Sequence, residues 1–454
     1  MSAQITTLDM RAPWRRVLLL APVALMLVCM WYVGRWCLGD TMAEWLPDEG
    51  AARAAMQLAP ADPQAHFTLA RLAERSFEPE QLTLAVNEYE QATALSPNDY
   101  RLWFELGKAR GLTGDDDGAA QAFKRAIELA PNYPEPRWFL GNLLLRAGRE
   151  REAFAELRRA CDEDPVKFRP QVFDLAWHIF NGDAQAVLAA VGDTTETRAG
   201  LAEYLLKQQR LDVALQVWSR LNAAQQQEQR ATGAKIVQSL LATKRYHAAL
   251  DVERDLLGQK QSDAPAAEQL LNGSFEAPVG PAGKTWYDWQ VTPVAQAQIN
   301  LDKRQPHGGA FSLRIIFSAS DALDFHHVAQ LVVVAPQTRY HLSWFVRTED
   351  LQSASTLTTQ VVDAADEAHA LASSALLAAG TNDWQADGLD FTTGAQTQAV
   401  VVRLVRAPCV QALCPLFGKV WYDDFNLQRL DNRAASEHNS ARANSNAPAR
   451  APAR

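Results

Sequence analysis

The spacing of apolar positions divides the chain into three stretches of different character. Residues 17–33 form an uncharged, almost wholly apolar run of 17 residues, near the short end of what crosses about 30 Å of hydrocarbon, and Gly34 and Trp36 extend it into the interface. Between residues 50 and 260 apolar residues return at 3.6-residue spacing among Ala, Leu, Arg, Glu and Gln, which predicts amphipathic helices. From Leu270 onward apolar and polar residues alternate, as at 312–317, 329–334, 340–346 and 399–405, with Gly, Pro, Asn and Asp clusters between them at 280–283, 306–309, 336–338 and 380–383. Such alternation predicts the strands of an antiparallel sandwich. Beyond Asn432 the chain is Ala, Arg, Asn, Ser and Pro with almost no large apolar residue, a composition that predicts disorder.

The helical stretch repeats itself. Leu106, Gly107, Ala119, Phe123, Ala126 and Pro131 recur 34 residues on as Leu140, Gly141, Ala153, Leu157, Ala160 and Pro165, and 34 residues earlier as Ala85, Tyr89, Ala92 and Pro97. These residue types have mechanical reasons to recur. A small residue lets two helices approach, a large one fills between them, and Pro follows the second helix. With Trp103 in the same register, residues 50–165 resemble the tetratricopeptide-repeat family. The first repeat departs from the pattern, since Pro60 and Pro97 stand 37 residues apart, which places about three extra residues near 78–81 in its inter-helix turn. Past Pro165 the pattern decays, and Leu201, Ala202, Ala214, Trp218 and Leu221, then Ile236, Leu240, Ala249 and Val252, read as degenerate repeats, with a loop or irregular pair over 181–197. Such a solenoid presents a groove lined by fixed positions of the first helix of each unit. In this register those are Gln64, Phe67 and Arg71, then Arg101, Phe104 and Lys108, then Glu135, Trp138 and Asn142, with a peptide or protein as the expected partner; the aromatics have the alternative of packing against a neighbouring repeat.

In the β-stretch three blocks stand out: 271–276 (LNGSFE), 340–347 (YHLSWFVR) and 420–427 (VWYDDFNL). Together they resemble bacterial carbohydrate-binding modules of the galactose-binding-like jelly-roll group over residues 270–430. The resemblance implies adjacent first and last strands whose acidic residues, Glu276, Asp423 and Asp424 with the Asn272 carbonyl, hold a structural Ca²⁺ through hard oxygen ligands; the alternative is that they bond loop amides. It also implies a glycan ligand. Stacking on a sugar ring needs an exposed aromatic face with a few polar groups beside it, and Trp286, Tyr287 and Trp289, in a loop-like stretch, are the candidates, against the alternative that some of them are core residues. Trp344 and Trp421 are expected to face the core, and Trp384, after Asn382 and Asp383 at an expected turn, is assigned a structural role.

Charge and cysteines narrow the function further. A net charge of −9 without a basic stripe argues against nucleic acid as a partner. Arg11, Arg15 and Arg16 precede the apolar run while Asp40, Glu44, Asp48 and Glu49 follow the single Arg35, which puts the N-terminus in the cytoplasm and the bulk of the chain outside, in the periplasm of a two-membrane bacterium. A cleaved signal, with Thr41 and Ala43 as its small residues, competes with an uncleaved anchor. Cys409 and Cys414, in a Pro-bounded loop of an oxidising compartment, read as a disulfide, with two unpaired thiols as the alternative. Cys161 reads as an inert buried residue. No nucleophile elbow, phosphate-binding loop or zinc-binding helix motif occurs. Asp115, Asp116 and Asp117 read as helix-capping acids, and the adjacent His326 and His327 would point to opposite faces of a strand.

The expectation is a multidomain, non-catalytic chain: a cytoplasmic N-terminus (1–16), a transmembrane helix (17–36), an all-α tetratricopeptide-repeat solenoid (42–258), a linker (259–269), an all-β jelly-roll sandwich (270–430) and a disordered tail (431–454). No cofactor is required beyond the structural Ca²⁺ that the resemblance implies. The expected role is a membrane-anchored adaptor, its repeats on a protein and its sandwich on a glycan, in export or assembly of a cell-surface polysaccharide; the alternative is a purely protein-binding scaffold.

Overall fold

The computed structural model describes residues 13–45, 48–258, 266–279, 285–320, 323–409 and 414–430. The tail at 431–454, the turn at 280–283 and most of the linker at 259–269 lie outside the described residues. Two compact units divide the chain, Met1–Tyr204 and Leu205–Arg454. The division falls inside the helical stretch, ahead of the linker.

The helices are α1 (Pro13–Trp45), α2 (Glu49–Leu58), α3 (Pro63–Glu74), α4 (Pro79–Leu95), α5 (Tyr100–Thr113), α6 (Asp116–Leu129), α7 (Pro134–Arg146), α8 (Glu150–Glu163), α9 (Pro165–Ile179), α10 (Ala184–Val191), α11 (Thr195–Lys207), α12 (Leu211–Trp218), α13 (Ala223–Glu228), α14 (Arg230–Ala242) and α15 (Tyr246–Leu257). Their starts are written locally: the side chains of Asp62, Asp99 and Asp115 accept the amides of Gln64, Arg101 and Gly118, satisfying donors that the first helical turn cannot. Asp115 is thus a cap. Gly107 lies against Phe123 and Gly141 against Leu157 so closely that a Cβ would stand 2.6 Å from either partner, which is the small-against-large packing that the repeat register requires. The extra residues of the first repeat fall in the turn at 75–78 and the first turn of α4. The stretch 181–197 holds the short α10, begun by Asp183 accepting the amide of Gln185, between a turn at 181–183 and an irregular segment at 192–194 that leads into α11. In α1, Leu20–Met42 is long and apolar enough to cross a membrane, with mean hydropathy 1.5, and the helix continues to Trp45.

The second unit carries the strands β1 (Gln290–Val291), β2 (Ala297–Asp302), β3 (Ser312–Ala319), β4 (Val328–Val333), β5 (Arg339–Gln352), β6 (Leu357–Asp363), β7 (Asp366–Ser373), β8 (Gly380–Thr392), β9 (Ala399–Arg406) and β10 (Leu416–Arg429). They form two five-stranded antiparallel sheets, β1-β4-β9-β6-β7 and β2-β3-β10-β5-β8. Alternate residues of each, among them Val332, Val402 and Leu404 on one side and Leu342, Trp344 and Tyr422 on the other, build one core between the sheets. His326 and His327 precede β4 outside any strand, and their rings stack with centroids 4.9 Å apart instead of diverging.

Within this unit the last helical pair packs on the first sheet. Tyr246 and Leu250 of α15 cluster with Val333, Ala364 and Ala399. The Tyr246 hydroxyl donates to the Ala364 carbonyl at 3.1 Å, His247 Nε2 lies 3.0 Å from the Val334 carbonyl oxygen, and the Lys244 ammonium donates to the Ala365 carbonyl. A sheet whose second face is apolar needs such a cover.

Candidate functional site

In the first unit, α5, α6 and α7 enclose a groove of about 530 Å³, lined by Lys108, Leu112, Trp138, Phe139, Asn142 and Arg146 among others. Of the residues expected to line it, Lys108, Trp138 and Asn142 do so. Phe104 is buried beneath, its ring 5.3 Å from that of Phe139 and 6.1 Å from that of Phe123, and it holds the Lys108 ammonium 5.6 Å above it. Arg101 turns back onto Asp99, Glu135 takes Lys167 at 2.5 Å, and Phe67 packs on Tyr89 with Arg71 over its outer face. Gln64, half-buried on α3, is not among the lining residues either. Phe104 is thus buried and offers the groove no free face, while Arg101, Glu135, Gln64, Phe67 and Arg71 lie outside the lining of this particular groove. Phe139 and Arg146 were missed, because the groove wall is set by how α7 leans on α5.

The aromatic candidates for sugar stacking are also corrected. Trp289 is 2% and Tyr287 4% exposed, so neither has a face to offer. Trp289 packs on Phe275 and Phe425, and its indole donates to the Asn272 carbonyl at 3.2 Å. Trp286 is half-buried in the cluster under α15. The Gln330 amide, itself buried, clamps the segment by donating to the carbonyls of Leu271 and Tyr287, both at 2.9 Å.

Glu276, Asp423 and Asp424 converge on the loop at 307–311, and they do so through N–H donors. Glu276 accepts the amides of Ala310 and Phe311, Asp423 those of His307, Gly308 and Asp424, and Asp424 sits 2.7 Å from His307 Nδ1. Burial pushes the Asp423 carboxyl upward against the pull of those three amides. Oxygens facing N–H groups are poorly disposed to a cation, and among the described residues no group of three acidic, His or Cys side chains is placed to hold a metal ion. The Asn272 carbonyl likewise faces N–H donors, accepting both the Phe275 amide at 3.1 Å and the Trp289 indole at 3.2 Å.

The same loop completes an arrangement that the sequence did not single out. Residues of β5 that point away from the core, His341, Phe345 and Arg347, stand beside Gln428, Asp423 and Trp421 of β10; on β8, His341 and Phe345 stand beside Asp390 and Ala386, while Arg347, at an irregularity of the ladder, pairs with Asp383 at 2.8 Å. His307 stacks on Phe345 with centroids 3.6 Å apart and meets Trp384 edge-on at 5.4 Å. Asp390 accepts from Arg339 and pairs with His341, both at 2.7 Å, and these bonds, His341 first, hold its carboxyl below the ordinary value. Trp421 was expected to face the core; it belongs to this outer face, buried under Arg347 and donating to Asp302 at 2.9 Å. Trp384 lies in β8 and not at a turn. The signal for it was the alternation in 341–347, whose outward phase is polar and aromatic.

Cys409 and Cys414 are joined as a disulfide with Cα atoms 6.3 Å apart, beside Arg406, which is buried and donates to the Cys414 carbonyl at 2.8 Å. Cys161 is buried, and burial pushes its thiol up to about 12, which leaves almost no thiolate near neutrality.

The tetratricopeptide-repeat family model matches residues 100–133, the repeat built by α5 and α6. No curated protein matches the chain. Among solved structures, MamA is similar at 14% identity, with 41% of this chain and 89% of that one covered and a TM-score of 0.26. A CBM4 module is similar at 12% identity, covering 36% of this chain and 99% of that one, with a TM-score of 0.27. The type III secretion chaperone SycD of Yersinia enterocolitica, in complex with a peptide of the translocator YopD, is similar at 21% identity, covering 27% of this chain and 91% of that one, with a TM-score of 0.23. The class defined is a chain with a helical repeat region, one repeat of which matches the tetratricopeptide model, followed by a two-sheet antiparallel β-region.

Proposed function

We propose that this chain is a membrane-anchored, non-catalytic adaptor that captures a protein segment in the groove of its repeats. The observation that carries the reading is the groove itself. Its lining combines apolar Leu112, Phe123 and Phe139 with the cations Lys108 and Arg146, the acid Glu74, and Asn142, whose amide nitrogen donates to the Trp138 carbonyl and leaves its oxygen as an acceptor, so an extended peptide finds both apolar contact and polar groups of either charge. A peptide library screened against the full-length chain in detergent micelles tests it. Selected peptides should lose about tenfold or more in affinity on Phe139→Ala, as a pocket-filling aromatic is worth at least about 1.4 kcal/mol. Equal binding by the variant would remove the groove from the function.

A second reading concerns the sandwich and rests on the outer face of β10, β5 and β8. Trp384, Phe345 and His307 form an aromatic ledge bordered by Arg347, His341, Asp390 and Gln428, which is the combination of ring faces and polar groups that a carbohydrate surface asks for. The jelly-roll resemblance supports it, and the role then extends to a cell-surface polysaccharide. A glycan array on the full-length chain, repeated with Trp384→Ala, is the test: binding lost in the variant supports a glycan platform on this face, and binding to no polysaccharide leaves a protein scaffold. The charge asymmetry about α1 supports a topology with the N-terminus inside and the residues that follow α1 outside the inner membrane.

A further inference from the structure

The C-terminal third of α1 is packed in the same manner as the repeat helices. Gly39 is buried, and a Cβ there would stand 2.8 Å from Ala59 Cβ and 3.1 Å from the Ala55 carbonyl oxygen, whereas a Cβ at Gly34, five residues earlier on the same helix, would meet nothing within 4 Å. The dipeptide Leu38-Gly39 repeats Leu106-Gly107 and Leu140-Gly141, whose glycines admit the partner helix of their own hairpins. Met42 joins Ala55, Ala65 and Met56 in a small apolar cluster. Arg35 closes the contact: its Nε donates to the Leu58 carbonyl at 2.7 Å, and its Nη2 donates to the Gln57 carbonyl. These are carbonyls of the last turn of α2, which a helix cannot satisfy internally and which a cation there complements. Leu38 is 54% exposed, and among the described residues no further hairpin covers this edge of the solenoid.

We infer that α1 is one continuous element with two duties, membrane anchor over its first part and first helix of an additional repeat-like hairpin with α2 over its last. The inference rests on the reading of α1 as a membrane span and adds that the span is not a tether. Residues 17–34 supply the apolar length, roughly 27 Å at 1.5 Å per residue, and from Arg35 onward the helix belongs to the repeats. The peptide-binding array therefore begins at the membrane interface. Cleavage after Ala43 would remove Arg35, Gly39 and Met42 together, leaving the α2 carbonyls uncapped and the faces of Ala55 and Ala65 uncovered. The helix must consequently be retained in the mature chain.

The test uses the full-length chain expressed in a bacterial membrane, with intact mass, fractionation, and limited proteolysis of the membrane-bound protein. The expected mass includes α1, the chain is recovered with the membrane, and Gly39→Leu raises the rate of cutting within residues 46–60 by tenfold or more while Gly34→Leu leaves it within twofold of the parent. A mature chain that begins downstream of Ala43 overturns the inference. So do equal cutting rates in Gly39→Leu and Gly34→Leu on a membrane-bound chain, and that outcome leaves the anchor reading intact. A chain that is intact but soluble overturns the anchor reading and the inference with it.

Discussion

The repeats and the sandwich bury comparable side chains by contacts of very different reach. In the first unit Arg110 meets Gly118 across 8 residues and Arg137 meets Glu156 across 19, and Gly107 with Phe123 or Gly141 with Leu157 closes each hairpin on itself. In the sandwich Trp421 meets Asp302 across 119 residues, and Gln330 meets Leu271 across 59. A solenoid is stabilised by each repeat and its nearest neighbours, so damage stays local. A sandwich with one core shared by two sheets loses its packing together. The same difference governs function: the repeat groove is made by adjacent helices, while the aromatic ledge needs a loop between β2 and β3 to reach β5 and β8.

Substitutions can overturn this contrast, beginning with the largest effect. Trp289→Ala, in the core at 2% exposure, should cost about 3–5 kcal/mol, and hydrogen exchange should show amides of both sheets opening together. Leu157→Ala, fully buried in α8, should cost about 2–5 kcal/mol, yet faster exchange should be confined to α7, α8 and the helices beside them. If protection were lost evenly across the repeats, the local picture would fail.

Asp302 gives a smaller effect with a pH signature. Burial works against its charge, but the Trp421 indole, the Arg304 amide and the Arg314 guanidinium outweigh it, and the carboxyl lies below its ordinary 3.8. A carboxyl depressed by folding stabilises the native state above its unfolded pKa, and that contribution disappears as pH falls through the folded value. Asp302→Asn should therefore cost about 1–2 kcal/mol at pH 7 and reduce the acid sensitivity of the sandwich below about pH 4, read from denaturant midpoints across pH. An unchanged pH profile would show that the carboxylate has no such part. Trp384→Ala is the smallest in stability, within about 0.5 kcal/mol for a side chain on the outer face, read from its denaturant midpoint, so a change in the proposed glycan binding by this variant would not be a folding defect.

What could be read without coordinates follows the same division of reach. The period of 34, the capping aspartates and the Gly107-Phe123 packing were legible because they depend on residues a few turns apart. The alternation of 340–346 located β5 for the same reason. Trp286, Tyr287 and Trp289 stay open between a sugar site and the core in the sequence, because three aromatics in a loop-like stretch do not reveal whether a remote side chain such as Gln330 folds that stretch inward. Trp384 was set aside because Asn382 and Asp383 look like a turn, although pairing with β5 extends β8 through them.

Local period and composition alone establish that an apolar N-terminal run precedes amphipathic helical repeats and then alternating strands, since they decide which backbone form buries each apolar face. It took the folded chain to show that α1 continues into the repeats through Gly39 and Arg35, that the acids near Asp423 serve loop amides, and that the outward aromatics gather at Phe345. Those outcomes depend on which distant segment arrives to satisfy a carbonyl, a carboxylate or a ring face, and no local pattern encodes the identity of that segment.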